Sequence, residues 1–397
     1  MSQISKRVEA LAPSATLAMS QKSSELRARG VDVINLSVGE PDFDTPDHIK
    51  EAAKRAIDEN FTRYTPVPGY PSLRKAIVDN LAATNGVVYD PGQIVVGNGA
   101  KQALCNVILA TINPGDEVII PTPAWVSYVE MVKLAEGESV LVPAGIEQDF
   151  KITPAQLRAA ITPRTRMVLI CSPSNPTGSV YTRDELAALV EVIADYPDII
   201  VLADEIYQHI NYTGSYTSLG TFDAIADRCV VINGVSKAYA MTGWRIGFCA
   251  APAPIAKAVS KLQSQYSSNA SSIAQKAAEA AYTGPQECVE EMRVAFERRR
   301  DLVVELASQI PGLKVNKPQG AFYLFPEVSS FFGKSFNGRT INNADDLCMY
   351  LLEEGHVACV SGDAFCLPGY IRLSYATSDD NIREAIRRIA AALANLK

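Results

Sequence analysis

The sequence predicts an α/β fold, with a large domain built on a mostly parallel sheet covered by helices on both faces and a smaller α+β domain. Three observations carry that expectation. Short, nearly all-apolar runs rich in β-branched residues recur between residues 93 and 237, longer helix-patterned segments separate them, and the last third of the chain changes character. Strands buried on both faces read as continuous apolar runs, and parallel neighbours need crossovers long enough to hold a helix.

The runs are QIVVGNG (93–99), EVIIPTP (117–123), RMVLICSP (166–173), DIIVLADE (198–205) and CVVINGVSK (229–237). Helical patterns such as AKQALCNVILATI and TRDELAALVEVIADY lie between them. Thr182 with Glu185 three positions on predicts a capping box at the start of the second. Residues 285–309 then read as one long charged helix, followed by GLKVNKPQGAFYLFPEV, a helix near 344–355, GYIRLSYA and a closing helix over 379–396. This order predicts a large domain over 46–284 and a smaller one from 285–397, with residues 1–45 packed against the latter.

Composition bounds the function. Of 397 residues, 47% are hydrophobic and 20% charged, the balance of a folded soluble protein rather than a disordered chain. A net charge of -7 argues against a nucleic-acid binder, which needs an excess of cations to meet phosphates. Eight cysteines stand at irregular positions without a CxxC pair, several inside apolar runs, so buried reduced thiols are expected rather than disulfides. With three histidines in the chain no Cys/His metal site is expected. No window has the length and apolarity of a signal peptide or a membrane span, so a cytoplasmic location and no membrane partner are expected.

The chemically interesting residues fall just after the apolar strands, where ligands of open α/β sheets collect. Asp204 in VLADEIY would be costly to bury unless a cation met it, and a pyridinium nitrogen is one such cation. A helix cap is the competing reading. Lys237 in NGVSKAYAMTGWRIG closes an apolar run and could form a Schiff base with an aldehyde cofactor, then shuttle a proton; a solvated lysine is the plain alternative. Ser236 and Arg245 nearby offer a hydroxyl and a guanidinium to a phosphate. GNGAKQAL (97–104) follows a strand and opens a helix, an arrangement that presents free N–H groups to an anion.

Three further positions join them. Trp125 offers a flat face to a planar ring, against simple core packing. Asn175, in the turn SPSNPTG, and Tyr207 could hydrogen-bond a ring hydroxyl, against the ordinary preference of Asn for turns. Arg372 lies inside an apolar strand, where a guanidinium needs an anion. A substrate carboxylate would serve, and so would a structural salt bridge.

Taken in this order, these motifs resemble the fold-type I pyridoxal phosphate enzymes, specifically class I aminotransferases of the aspartate aminotransferase family and their bacterial Ib-like subgroup. The resemblance runs from VGEPDFDTP (38–46) through YTPVPGYPSLRKAI (64–77) to IRLSYA (371–376). Its sharpest element is S-K-x-x-A-M-x-G-x-R-I-G at 236–247.

The resemblance implies that Lys237 carries pyridoxal 5'-phosphate, Asp204 pairs with the ring nitrogen, Tyr207 and Asn175 bind the phenolic oxygen, and Trp125 stacks on the ring. Gly99, Ala100 and Lys101 would cradle the phosphate with Ser236 and Arg245. Gly234 stands where some relatives have a phosphate-binding serine, which leaves Ser236 as the hydroxyl. Tyr64 resembles the tyrosine lent to the partner subunit's phosphate, implying a homodimer with shared active sites. Arg372 and Asn175 would hold the substrate α-carboxylate beside Gly39.

Lys101 and Thr16, the latter in the closing segment PSATLAM (13–19), resemble a subgroup that accepts a second carboxylate. That implies ping-pong transfer from aspartate to 2-oxoglutarate. The alternatives are an aromatic amino acid or prephenate aminotransferase, or a β-lyase or cyclopropane-forming synthase on the same cofactor. A regulator module is disfavoured because the pattern starts near residue 1 with no room for a DNA-binding domain. A nucleotide-binding enzyme is disfavoured because GxGxxG and GxxxxGK[ST] are absent.

Overall fold

The apolar runs assemble into one seven-stranded sheet. In the computed structural model, which describes residues 4–397, its strands are β1 (Ile94–Gly97), β2 (Glu117–Thr122), β3 (Glu138–Pro143), β4 (Thr165–Cys171), β5 (Ile200–Asp204), β6 (Cys229–Gly234) and β7 (Gly247–Ala250). They lie in the order β1-β7-β6-β5-β4-β2-β3. All neighbours are parallel except β7, which runs antiparallel to both β1 and β6. Neither β3 nor β7 was among the expected strands. β3 is an edge strand whose apolar residues are mostly half-exposed, and β7 is only four residues long.

Successive residues on a strand point to opposite faces, so each strand feeds two cores. Val96, Ile119, Val168 and Val201 pack on one face with Leu186, Leu189 and Ile193 of the helix Arg183–Ala194. Their neighbours Val95, Val118, Leu169 and Leu202 pack on the other with Leu104 and Val107 of helix α1 (Ala100–Thr111). Each such side chain taken from water contributes about 1.5–3 kcal/mol. The expected capping box is present: Thr182 Oγ1 accepts from Glu185 N–H while the Glu185 carboxylate accepts from Thr182 N–H.

A second core gathers Phe296 and Val303 of the long helix Glu287–Ala307 with Phe322, Leu347, Leu373 and Ile386. Its sheet joins Val360–Ser361, Ile371–Ser374 and Tyr323–Leu324, all antiparallel, and sets Val360 opposite Arg372. Ile34 and Leu36 are buried in this core, and Ile34–Asn35 pairs with Val357–Ala358. The N-terminal stretch nevertheless divides. Arg7 pairs with Glu136, and the Ala12 N–H donates to Glu130, which tethers the first residues to the side of the large sheet. Two carboxylates there draw the chain across. Ile206, Tyr207 and Ile210, which follow β5, insert into the second core and join the two units.

Candidate active site

The carboxyl ends of β5 and β6 converge on a cavity of about 430 Å³ that reaches the second core. β5 ends at Asp204, whose side chain is buried. The Tyr128 hydroxyl donates to one carboxylate oxygen at 2.6 Å, and the Ile206 N–H donates to the other at 3.2 Å. Burial raises the Asp204 pKa against these donors and the positive charge of Lys237. No cation hydrogen-bonds this carboxylate among the described residues, so a positively charged group in the cavity would find a carboxyl group without a counter-ion.

β6 stops at Gly234, and Lys237 lies in the turn beyond it rather than on the strand itself. Its Nζ donates to the carbonyl of Gly39 at 2.6 Å. Burial, helped by the positive charges of Arg372 and Arg245 and opposed by Glu40 and Asp204, pulls the amine down to about 8. Gly39 is a tight approach, since a Cβ there would stand 2.4 Å from the Tyr323 hydroxyl.

An anion cradle forms where α1 begins. Gly99 is its N-cap at φ +86°, no side chain caps the helix, and Ala100 and Lys101 open its first turn. The Arg245 guanidinium lies against Gly99, so closely that a Cβ would meet Nη2 at 2.4 Å. Arg245 is held there by the carbonyls of Thr242 and Asn98. Ser236 lines the same cavity. Helix N-termini with such neighbours bind phosphate.

At the other end, Arg372 is 2% exposed. Its Nη1 donates to Asn175 Oδ1 at 3.0 Å and its Nη2 to the Ser37 carbonyl at 2.6 Å, while Nε has no partner. It lies over the rings of Tyr323 and Phe365. No carboxylate among the described residues neutralises it, which disposes of the structural salt bridge as its reason for being there. Tyr207 and Tyr323 share a hydrogen bond at 2.7 Å, and burial pushes the Tyr207 hydroxyl well up, so it stays protonated.

Trp125 meets Tyr128 edge-on at 5.4 Å, and the Lys101 Nζ sits 4.8 Å above the Trp125 ring. Burial, and after it the charge of Arg245, lowers the Lys101 pKa. Thr16 borders the cavity, its hydroxyl 3.0 Å from that of Ser14. Thirteen of the fourteen residues singled out above therefore meet at or beside this cavity. Tyr64 does not: it stands 91% exposed outside it. Tyr128, Tyr323, Ser37 and Glu40 belong to the site without having been anticipated. A tyrosine inside a helical pattern or an FYLF run carries no mark that separates it from core.

A buried carboxylate without a counter-ion, a depressed amine, a flat indole and an uncapped helix start fit the pyridine nitrogen, aldehyde, ring and phosphate of pyridoxal 5'-phosphate. The site and the sheet thus define a pyridoxal phosphate enzyme. Residues 31–389 match the family model "Aminotransferase class I and II". The chain is 49% identical to an aspartate/prephenate aminotransferase of Nitrosomonas europaea, over 98% of its own length and 99% of the relative's. It is 50% identical to an aspartate aminotransferase of Geobacillus stearothermophilus, covering 97% and 98%. Among solved structures it superposes on the aspartate aminotransferase of Rhizobium meliloti with TM-score 0.96 at 44% identity, both chains covered completely. The chain belongs to the class I and II aminotransferases: it is an enzyme that uses pyridoxal 5'-phosphate to move amino groups between amino and oxo acids.

Proposed function

We propose that this enzyme transfers the amino group of aspartate to 2-oxoglutarate by a ping-pong sequence. The observation that carries the substrate reading is the presence in one cavity of two cations besides Lys237 and Arg245, Arg372 deep on one side and Lys101 over Trp125. An amino acid with two carboxylates can satisfy both. The names borne by the Nitrosomonas and Geobacillus relatives agree with it. Prephenate, also a dicarboxylate, is a second reading, favoured by the exposed Leu17 at the cavity wall, which offers apolar area to a ring.

When bound, the cofactor supplies an aldehyde to take up the amino group and a ring to accept electrons from the substrate α-carbon. Asp204 keeps the ring nitrogen protonated, its own oxygens fixed by Tyr128 and Ile206. Tyr207 and Asn175 serve the phenolic oxygen. Gly99, Ala100, Lys101, Ser236 and Arg245 hold the phosphate. Arg372 orients the α-carboxylate with Asn175 beside Gly39, while Lys101 and Thr16 receive the distal one. Lys237 would work as a base at Nζ; an amine near pKa 8 is partly unprotonated at neutral pH, and the Gly39 carbonyl holds it ready.

The exposed Tyr64 completes the phosphate site of a second copy in a homodimer with shared sites. Residues 46–284 form the cofactor domain, while 285–397 with most of the N-terminal stretch form the domain that closes on substrate. Eight free thiols suit a reducing compartment such as the cytoplasm. An absorbance spectrum tests the substrate reading. Aspartate should convert the visible band of the lysine-bound cofactor to the near-ultraviolet band of its amino form, and 2-oxoglutarate should restore it. A spectrum unmoved by aspartate but shifted by phenylalanine would overturn it.

A further inference from the structure

Behind Asp204, on the side away from the cavity, lies a buried polar chain that the reaction leaves unused. Glu205 is buried and accepts hydrogen bonds from the Ser218 hydroxyl at 2.8 Å, the Leu219 N–H at 3.1 Å and Asn85 Nδ2 at 3.2 Å. Asn85 and Gln208 exchange two hydrogen bonds, Asn85 Nδ2 to Gln208 Oε1 at 2.9 Å and Gln208 Nε2 to Asn85 Oδ1 at 2.8 Å. Gln208 Oε1 also accepts from Asn233 Nδ2 at 2.6 Å, and Asn233 Oδ1 accepts from the Gly234 N–H at 2.8 Å.

The direction of this chain is set at both ends, by the Glu205 carboxylate at one and at the other by the Gly234 N–H that donates to Asn233 Oδ1. An ionised carboxylate only accepts, so Glu205 forces Asn85 to face it with its NH₂ group, which in turn fixes Gln208 and then Asn233. The last amide ends on Gly234, three positions before Lys237, at a point with no slack: a Cβ on Gly234 would stand 2.7 Å from the Gly247 Cα. Glu205 itself directly follows Asp204, and its own N–H donates to the Ile232 carbonyl of β6. The chain therefore ties the turn bearing Asp204 and Tyr207 to the strand end that leads into Lys237.

We propose that Glu205 is a positioning residue that, through the polarity it imposes on Asn85, Gln208 and Asn233, fixes the spacing between Asp204 and Lys237 and so the site for the cofactor ring. The inference rests on the reading of Asp204 and Lys237 as the residues that hold the two ends of the ring. It identifies a role for a buried carboxylate that touches neither cofactor nor substrate.

The test is reversal of the chain. Glu205→Gln leaves Asn85 facing a second NH₂ group, and Asn233→Asp places an acceptor against Gln208 Oε1; each single change breaks the sequence of donors. Together they allow all the amides to turn over. The introduced glutamine then donates to Asn85 Oδ1 and Gln208 Nε2 donates to the introduced carboxylate, with the Gly234 N–H still capped. Dissociation constants of the apoenzyme for pyridoxal 5'-phosphate would be measured at pH 8, where Glu205, pushed up to about 7 by burial, is an anion. Each single variant should weaken binding by about tenfold, and the double variant should return to within about twofold of the parent. Singles that bind like the parent, or a double whose loss is the product of the two, would overturn the proposal. Should a single variant not fold, Asn85→Ala, which cuts the link between Glu205 and Gln208 at the end of the helix Pro71–Asn85, should weaken binding by about threefold, and unchanged affinity there would equally overturn it. A parent apoenzyme that takes up no cofactor would instead sink the underlying reading of Asp204 and Lys237.

Discussion

At the scale of single residues, Lys237 and Arg372 show how burial converts ordinary side chains into reagents. Burial, with like charges beside it, brings the Lys237 amine to about 8, so the fraction that is free base grows as pH rises to that value and then levels off. The rate at which the apoenzyme captures pyridoxal 5'-phosphate should therefore rise about tenfold per pH unit below 8 and flatten above it. A profile still climbing steeply at pH 10 would mean an unperturbed lysine. Arg372 offers a planar fork already aligned by Asn175 and Ser37. Arg372→Lys keeps the charge and loses the fork, so KM for aspartate should rise by roughly 10- to 100-fold, about 1.5–3 kcal/mol of charged hydrogen bonding, with a smaller change in kcat. These residues were legible in the sequence because a charge at or within an apolar run is anomalous. Tyr128 and Tyr323 were not, because their hydroxyls matter only once the chain brings Asp204 and Tyr207 beside them.

At the scale of elements, the cradle depends on an approach that no side chain provides. β7 runs so close beneath the start of α1 that a Cβ on Gly247 would stand 2.2 Å from the Ala100 N atom. That backbone contact fixes the helix N-terminus, and its free N–H groups lose phosphate affinity if it shifts. Gly247→Ala should thus cost about 1–3 kcal/mol in overall stability by overpacking. It should also weaken cofactor binding beyond what the loss of stability accounts for. Paired melting and cofactor titration check this, and a Gly247→Ala protein that binds the cofactor like the parent would show that the helix start does not rely on the contact. The parallel core strands could be read from their apolar runs. The reversal at β7 could not, since four buried residues carry no sign of their direction, and the edge strand β3 alternates too irregularly to stand out.

At the scale of the whole molecule, the two cores are legible as a change of pattern near residue 285, whereas the path of the N-terminus is not. Its apolar residues point to the second core, but Arg7 and Ala12 are drawn to carboxylates on the first unit. The least explicable surface residue in a lone chain is Tyr64, a large aromatic side chain 91% exposed and not among the residues that line the cavity whose family pattern it shares. In the proposed homodimer its place is the partner's phosphate site. Symmetry then makes a sharp prediction, because each site draws Lys237 from one subunit and Tyr64 from the other. Tyr64→Ala and Lys237→Ala homodimers should each be strongly impaired, the second completely. When the two are unfolded together and refolded as a mixture, half of the dimers pair one of each. Such a hybrid has one site with both residues intact and one with neither. Activity should return to about a quarter of the parent value, the share set by random pairing. A mixture no more active than the average of its two components would place Tyr64 outside the partner's site and leave each subunit complete by itself.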